Sequence, residues 1–310
     1  MNRFFFIQYI PLFLFAMLIS LLPASTAIAI GRFMGRLLFK IGGKHRRIAM
    51  DNISLALGIP QNEARQLSLK VFEHLGRMFI EFLKPACFGK DYVQAMVETR
   101  GLENLEKAKE KGKGVLILAA HLGNWELLGS ALLEHVGPVT VVYKKARNPY
   151  VTEFIRKTRK KRGIETIPHR NSARKIMGIL KKGEAVGILL DQHATNKDAV
   201  SADFFGMPVA TNYGLALIAI KTGTPVVPAF LVKDEKGKYL CAYEEPLFLE
   251  KGDDMQEDIL GATTTFNSIM EKWIRNYPDQ WFWVHNRFRV KKYKQKKRPK
   301  RRPEQRIDNG

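Results

Sequence analysis

The stretch GVLILAAHLGNWELLGSALL, residues 114–133, decides how this chain is read. Its first seven residues form an unbroken apolar run of strand length, as expected of a strand buried on both faces. The run ends at His121. Gly123 permits a tight turn, Asn124 carries a side chain suited to capping a helix, and residues 125–135 read as that helix. If the whole stretch were one helix, five residues would set the His121 and Glu126 side chains roughly 140° apart around its axis. A strand, turn and helix instead fold the helix start back toward the strand end, so the Glu126 carboxylate is expected to reach the His121 imidazole.

Outward from this unit, short apolar runs alternate with amphipathic segments. Residues 138–143, 165–167 and 185–190 read as strands, and residues 149–161, 172–182, 213–222 and 257–276 as helices. Residues 225–232 and 238–246 read as a strand pair around a turn at 235–237. Upstream, residues 63–83 place apolar side chains at three- and four-residue steps and predict a helix. The alternation predicts an α/β fold, a mostly parallel central sheet flanked by helices, with chemistry at the carboxyl ends of the strands.

A histidine oriented by a carboxylate has a definite use. It takes the proton of an alcohol as the alcohol attacks an acyl carbonyl, while the carboxylate sets the tautomer and stabilises the imidazolium. No GxSxG nucleophile elbow occurs, so the attacking hydroxyl is expected to belong to the substrate, with direct transfer. HExxH, Walker A and GxGxxG patterns are absent, and no metal or cofactor is expected.

The chain has 310 residues with 51 Lys and Arg against 30 Asp and Glu, a net charge of +21, which calls for an anionic neighbour. Hydrophobic residues make up 45% of it, enough for a sizeable core. Residues 287–306 are strongly basic and read as a tail on an anionic membrane surface. A nucleic-acid partner is not expected, because the tail lacks interleaved aromatics apart from Tyr293. Cys87 and Cys241 are far apart and outside any ligand spacing, so both read as core thiols. Residues 4–30 contain no charge and are long enough for a membrane-spanning helix. Arg32, Arg36, Lys40 and Lys44 follow it, which places the bulk of the protein on the cytoplasmic side. A cleaved signal peptide ending near Ala27-Ile28-Ala29 and a helix lying in the interface are the competing readings. The expected organisation is an anchor over 1–30, a helical basic region over 31–100, an acyltransferase domain over 101–290 and a basic tail over 291–310.

The block AAHLGNWELLG resembles the signature of the lipid A late acyltransferases of Gram-negative bacteria, within the lysophospholipid acyltransferase superfamily and its His-x-x-x-x-Asp/Glu motif. Residues 189–230 are similar to the family's second block, and YPDQWFWVHNRFR, residues 277–289, to its C-terminal block. The resemblance implies an inner-membrane enzyme. Its acyl donor would be a thioester on acyl carrier protein or coenzyme A, and its acceptor a hydroxyl of a lipid A precursor. It also implies that His121 is the general base with Glu126 as its partner, and that Arg159 and Asp191 match a family arginine and aspartate; Arg159, Asp191 and Asn124 are the expected substrate-binding residues. On residue type alone, Arg159 suits a phosphate and Asp191 suits either a strand-end site or a turn cap. Gln192 and the long basic tail depart from the better-known members. Acyl transfer to a lysophospholipid or another phosphorylated glycolipid is the alternative. His285 reads as a structural hydrogen-bonding residue. Trp281, Phe282 and Trp283 suit either the membrane interface or the core. Phe204, Phe205, Gly206 and Pro208 are candidates for shaping a pocket.

Overall fold

A computed structural model describes residues 3–84, 87, 89–194, 198–234 and 236–289. The expected basic tail over 291–310 lies outside them. Seven strands form one sheet in the order β1-β9-β8-β2-β5-β3-β4. The strands are β1 (Val97–Arg100), β2 (Val115–Ala119), β3 (Val139–Tyr143), β4 (Ile164–Pro168), β5 (Ala185–Leu189), β8 (Val226–Lys233) and β9 (Tyr239–Tyr243). The run β8-β2-β5-β3-β4 is parallel, whereas β9 is antiparallel to β8 and β1 runs with β9. Strands β6 (Ala199–Phe204) and β7 (Met207–Asn212) form a separate hairpin. The hairpin and β1 were not expected from the sequence. Both carry polar residues and are too short to stand out by periodicity.

Strand β2 occupies the middle of the sheet and all five of its residues are buried. Its alternate side chains enter two cores, as strand geometry requires. Val115, Ile117 and Ala119 pack with Leu127, Leu128 and Leu132 of α7 (Trp125–Val136). Leu116 and Leu118 pack in the opposite core with α3 (Gly43–Leu57), α4 (Gln61–Leu83), α10 (Gly214–Thr222) and α11 (Met255–Asn276). Cys87 and Cys241 are both free and buried.

The amino-terminal segment corrects an expectation. Instead of one spanning helix over 4–30 there are two, α1 (Arg3–Leu21) and α2 (Ala24–Ile41). No helix among the described residues is long and apolar enough to cross a membrane. Pro23 lacks an amide hydrogen and restricts the residue before it, which ends α1 and starts α2 afresh. Helix α1 is also held to the body of the protein. Asn148 donates to the Phe5 carbonyl at 3.0 Å, Tyr9 stacks on Tyr150 at 5.9 Å, and the buried Lys84 donates to the Ser20 carbonyl at 3.2 Å. Helix α2 lies against α4 at glycines. A Cβ at Gly35 would strike the Phe72 carbonyl, and one at Gly76 the Gly31 carbonyl. Both helices leave large apolar residues exposed, among them Ile7, Leu14, Leu18 and Leu21 of α1 and Phe33 and Ile41 of α2.

Candidate active site

The site grows from the end of β2. Gly123 has a φ of 60°, and a Cβ there would strike the Leu231 carbonyl oxygen, so the turn passes directly over β8. Its amide donates to the Gln280 carbonyl at 3.0 Å, and the next amide, Asn124, donates to the Leu231 carbonyl at 2.9 Å. The Asn124 side chain accepts from the Leu127 amide at 3.0 Å and caps α7, as the sequence predicted. Its amide group donates to Glu81 of α4 at 2.9 Å. Glu81 is fully buried and also accepts from Arg77 and from the Tyr239 hydroxyl, at 2.8 and 2.6 Å. This network anchors the start of α7, and nothing in the sequence pattern marks it, because its members come from α4, the turn after β2 and β9.

The turn presents His121, but the carboxylate it meets is not the expected one. His121 Nδ1 lies 2.8 Å from Asp191 Oδ1, and the His121 amide donates to Asp191 Oδ2 at 3.0 Å. The Trp281 indole donates to the same Oδ2 at 2.7 Å. Asp191 follows β5, the strand hydrogen-bonded beside β2, so adjacent strand ends deliver both partners. Burial raises the Asp191 carboxyl, but the His121 charge and the hydrogen bonds from His121 and Trp281 outweigh it. The carboxyl lies below the usual carboxylate range. An ionised Asp191 can only accept, so Nδ1 carries the proton and Nε2 is the basic nitrogen. The Gln192 amide nitrogen lies 3.3 Å from Nε2.

Glu126 is turned elsewhere. Arg159 of α8 (Pro149–Lys161) grips it bidentately, with Nε to Oε2 at 3.0 Å and Nη2 to Oε1 at 2.6 Å. The expected hydrogen bond between His121 and Glu126 is therefore replaced by two pairs, His121–Asp191 and Glu126–Arg159. The first turn of α7 directs Glu126 toward α8. Trp125 connects the two pairs. Its ring meets His121 edge-on with 5.0 Å between centroids, and it lines a narrow cleft together with Glu126 and Arg159. Apart from that ion pair the lining is largely apolar, with Leu132, Val142, Ile164 and Ile188 among its walls, and Gly129 and Gly187 also line it. Among the described residues, no group of three or more His, Cys, Asp or Glu could hold a metal ion.

The C-terminal block is structural as well as local to the site. Trp281 and Trp283 are buried, 4.5 Å apart between ring centroids, and Phe204 and Phe205 pack into the same aromatic cluster rather than lining the cleft. His285 accepts from the His193 amide at 3.0 Å, the structural hydrogen bond expected of it. Arg287 was read as the first residue of the basic tail, yet it is 1% exposed. Its guanidinium donates to the Gln192 and Ala210 carbonyls at 3.0 and 2.8 Å, and burial pushes it down to about 10. It thereby fastens the loop that carries Asp191 and Gln192.

The structure is thus an α/β sheet with a histidine–carboxylate pair at adjacent strand ends beside a mostly apolar cleft, a class of site suited to general-base chemistry. Residues 5–290 match the family described as bacterial lipid A biosynthesis acyltransferase, and the chain belongs to that family and is an O-acyltransferase. It is similar to the lipid A biosynthesis palmitoleoyltransferase of Escherichia coli strain K12, with 27% identity over 252 residues, 79% of this chain and 80% of that protein. It resembles the lipid A biosynthesis lauroyltransferase of the same strain, with 22% identity over 276 residues, 88% of this chain and 89% of that protein. It is also similar to the phosphatidylinositol mannoside acyltransferase of Mycobacterium tuberculosis, with 24% identity over 183 residues, 57% of this chain and 58% of that protein.

Proposed function

We propose that this enzyme moves a fatty acyl group from a thioester, on acyl carrier protein or coenzyme A, to a hydroxyl of a lipid A precursor by direct transfer. The observation that carries the reading is the His121–Asp191 pair beside the cleft, which leaves Nε2 basic. The acceptor hydroxyl displaces the Gln192 amide from Nε2 and attacks the thioester carbonyl carbon. His121 takes the hydroxyl proton, the C–S bond breaks, and the imidazolium returns the proton to the departing sulfur. Asp191 holds the tautomer and stabilises the imidazolium, and Trp281 holds Asp191. Glu126 sets the position of Arg159, whose remaining N–H groups donate to the carbonyl oxygen as it gains charge. The acyl chain enters the cleft behind this pair. The cleft is narrow, about 50 Å³, so an incoming chain must displace its apolar walls.

In this reading the sheet and its helices, residues 97–289, are the catalytic part. The exposed apolar faces of α1 and α2 rest in the surface of the inner membrane, where the lipid substrate is found. The likeness to a phosphatidylinositol mannoside acyltransferase supports a second reading, transfer to another phosphorylated glycolipid. The test is purified enzyme, His121→Ala enzyme and an acyl thioester, each with lipid A precursor or phosphatidylinositol mannoside, read by lipid mass spectrometry. Acylation of the precursor that His121→Ala abolishes supports the first reading. Full turnover by His121→Ala rejects the mechanism, and acylation of the mannoside alone selects the second reading.

A further inference from the structure

Away from the cleft, a cavity of about 490 Å³ lies between α2, α4 and the turn joining β8 to β9. Five cationic side chains line it: Arg32, Lys70, Arg77, Lys233 and Lys236. Arg77 is neutralised by Glu81 at 2.8 Å, and the lining Glu73 is taken up by Arg36 at 2.7 Å. Among the described residues, no carboxylate lies within ion-pair distance of Arg32, Lys70, Lys233 or Lys236. The remaining acidic lining groups are Asp234, which accepts from the Lys238 amide at 2.7 Å, and Asp279. Four unpaired cations thus face two carboxylates, a surplus of positive charge in a concave site.

Lys233 is held in this wall. Its amide donates to Gln280 Oε1 at 2.8 Å, its carbonyl accepts from Gln280 Nε2 at 2.7 Å, and its ammonium lies 5.4 Å from the Tyr239 ring centroid. Burial pushes its basicity down to about 8, with Arg77 and Arg32 adding to the effect and Glu81 and Asp234 opposing it. Cations reaching one space from two helices and a turn suit a small dianion with several acceptor oxygens, and Arg32 adds a fork that matches phosphate.

Two features say what would carry that anion and why it matters. Ile28 and Arg32 of the lining belong to α2, and Arg32 is followed there by Phe33, 66% exposed, so one wall of the cavity is part of a helix assigned above to the membrane surface. The inner wall, in turn, holds the turn after β2. His74 Nε2 lies 3.0 Å from the Gly123 carbonyl oxygen, and the Gln280 carbonyl accepts from the Gly123 amide at 3.0 Å. We propose that this cavity binds a phosphate monoester on a lipid headgroup, positioning that lipid beside the turn that bears His121. The proposal deepens the acyl-transfer reading and rests on it for the nature of the lipid, but not for the existence of the site.

The test is lysine footprinting of the full chain. A short pulse of an amine-acetylating reagent near pH 8 is followed by peptide mass spectrometry of Lys70, Lys233 and Lys236. The protein is labelled alone, with inorganic phosphate, and with phosphatidylcholine vesicles that are pure, doped with phosphatidic acid, or doped with phosphatidylglycerol to the same surface charge. The expected result is several-fold slower labelling of Lys70 and Lys233 with inorganic phosphate and with phosphatidic acid vesicles, and no slowing with pure phosphatidylcholine. An Arg32→Gln variant should lose most of that protection at Lys233. Protection by inorganic phosphate but not by phosphatidic acid keeps a phosphate site and overturns the lipid source. Equal slowing by phosphatidylglycerol, or none under any condition, overturns the proposal. The wild-type arms stand alone if the variant does not fold. Labelling requires no turnover, so a failure of the acyl-transfer reading leaves it intact and His121→Ala enzyme should give the same pattern.

Discussion

Replacing Asp191 with asparagine preserves size but changes which atoms can donate. In the native enzyme one carboxylate oxygen accepts from the His121 amide and the Trp281 indole, while the other faces His121 Nδ1. The first two partners are fixed donors, so the carbonyl oxygen of an asparagine must take that side. Its NH₂ group then points at Nδ1 as a donor and forces the imidazole proton to Nε2. The base is lost without any loss of packing. A misplaced tautomer of this kind costs about 10⁴ in kcat in a serine-protease triad. The same inversion here should lower kcat on the order of 10³–10⁴-fold, about 4–5.5 kcal/mol in the barrier. Asp191 is 2% exposed, so KM for the acyl thioester should stay near the wild-type value. The assay is steady-state transfer from acyl carrier protein thioester to lipid A precursor, with thermal melts to confirm folding. A folded Asp191→Asn enzyme that keeps kcat within tenfold of wild type would refute the assignment of Asp191 as the orienting group.

Three further outcomes follow from the same structure. Glu81→Ala removes the acceptor shared by Arg77, Tyr239 and Asn124 and leaves Arg77 buried without its carboxylate, so chemical denaturation should show a loss of about 3–5 kcal/mol. Gly187→Val fills the cleft near Val141, whose side chain a Cβ at 187 would already meet at 3.5 Å. In competition between acyl thioesters of different length it should shift preference toward shorter chains, and an unchanged preference would place the acyl chain elsewhere. Asp191 has a depressed carboxyl and His74 a depressed imidazole, the latter because burial outweighs its hydrogen bond to Gly123. Both therefore add stability that is complete above their unfolded values. Thermal melts should weaken below about pH 6.5 as His74 charges and again below about pH 4 as Asp191 protonates, with Asp191→Asn losing only the second step.

Much of the fold was legible from the residues alone, because local patterns encode it. The apolar run of β2, the Gly123 turn and the Asn124 cap are short-range features, and each took the predicted form. Helix α8 spans the predicted residues, since Asn148 and Pro149 start it and Gly163 follows its end. The apolar stretch at the amino terminus was equally plain, but hydropathy cannot tell a bilayer from a protein surface. Pro23 divides that stretch into α1 and α2, and α4 and α8 supply α1 with packing partners.

The placement of His121 and Asp191 after strands, of Asn124 and Glu126 at a helix start, and of Arg159 on a helix was legible in the sequence. Their pairing was not. Sequence proximity favoured Glu126 for His121, because five residues separate them while Asp191 is seventy residues away. Hydrogen bonding between β2 and β5 removes that separation, and the direction of the first turn of α7 sends Glu126 to Arg159 instead. The buried roles of Arg287 and Glu81, and the bond from Trp281 to Asp191, were hidden for the same reason. A side chain's partner in a parallel sheet is set by which strands lie side by side, and that order, β8-β2-β5-β3, exists only in the folded chain.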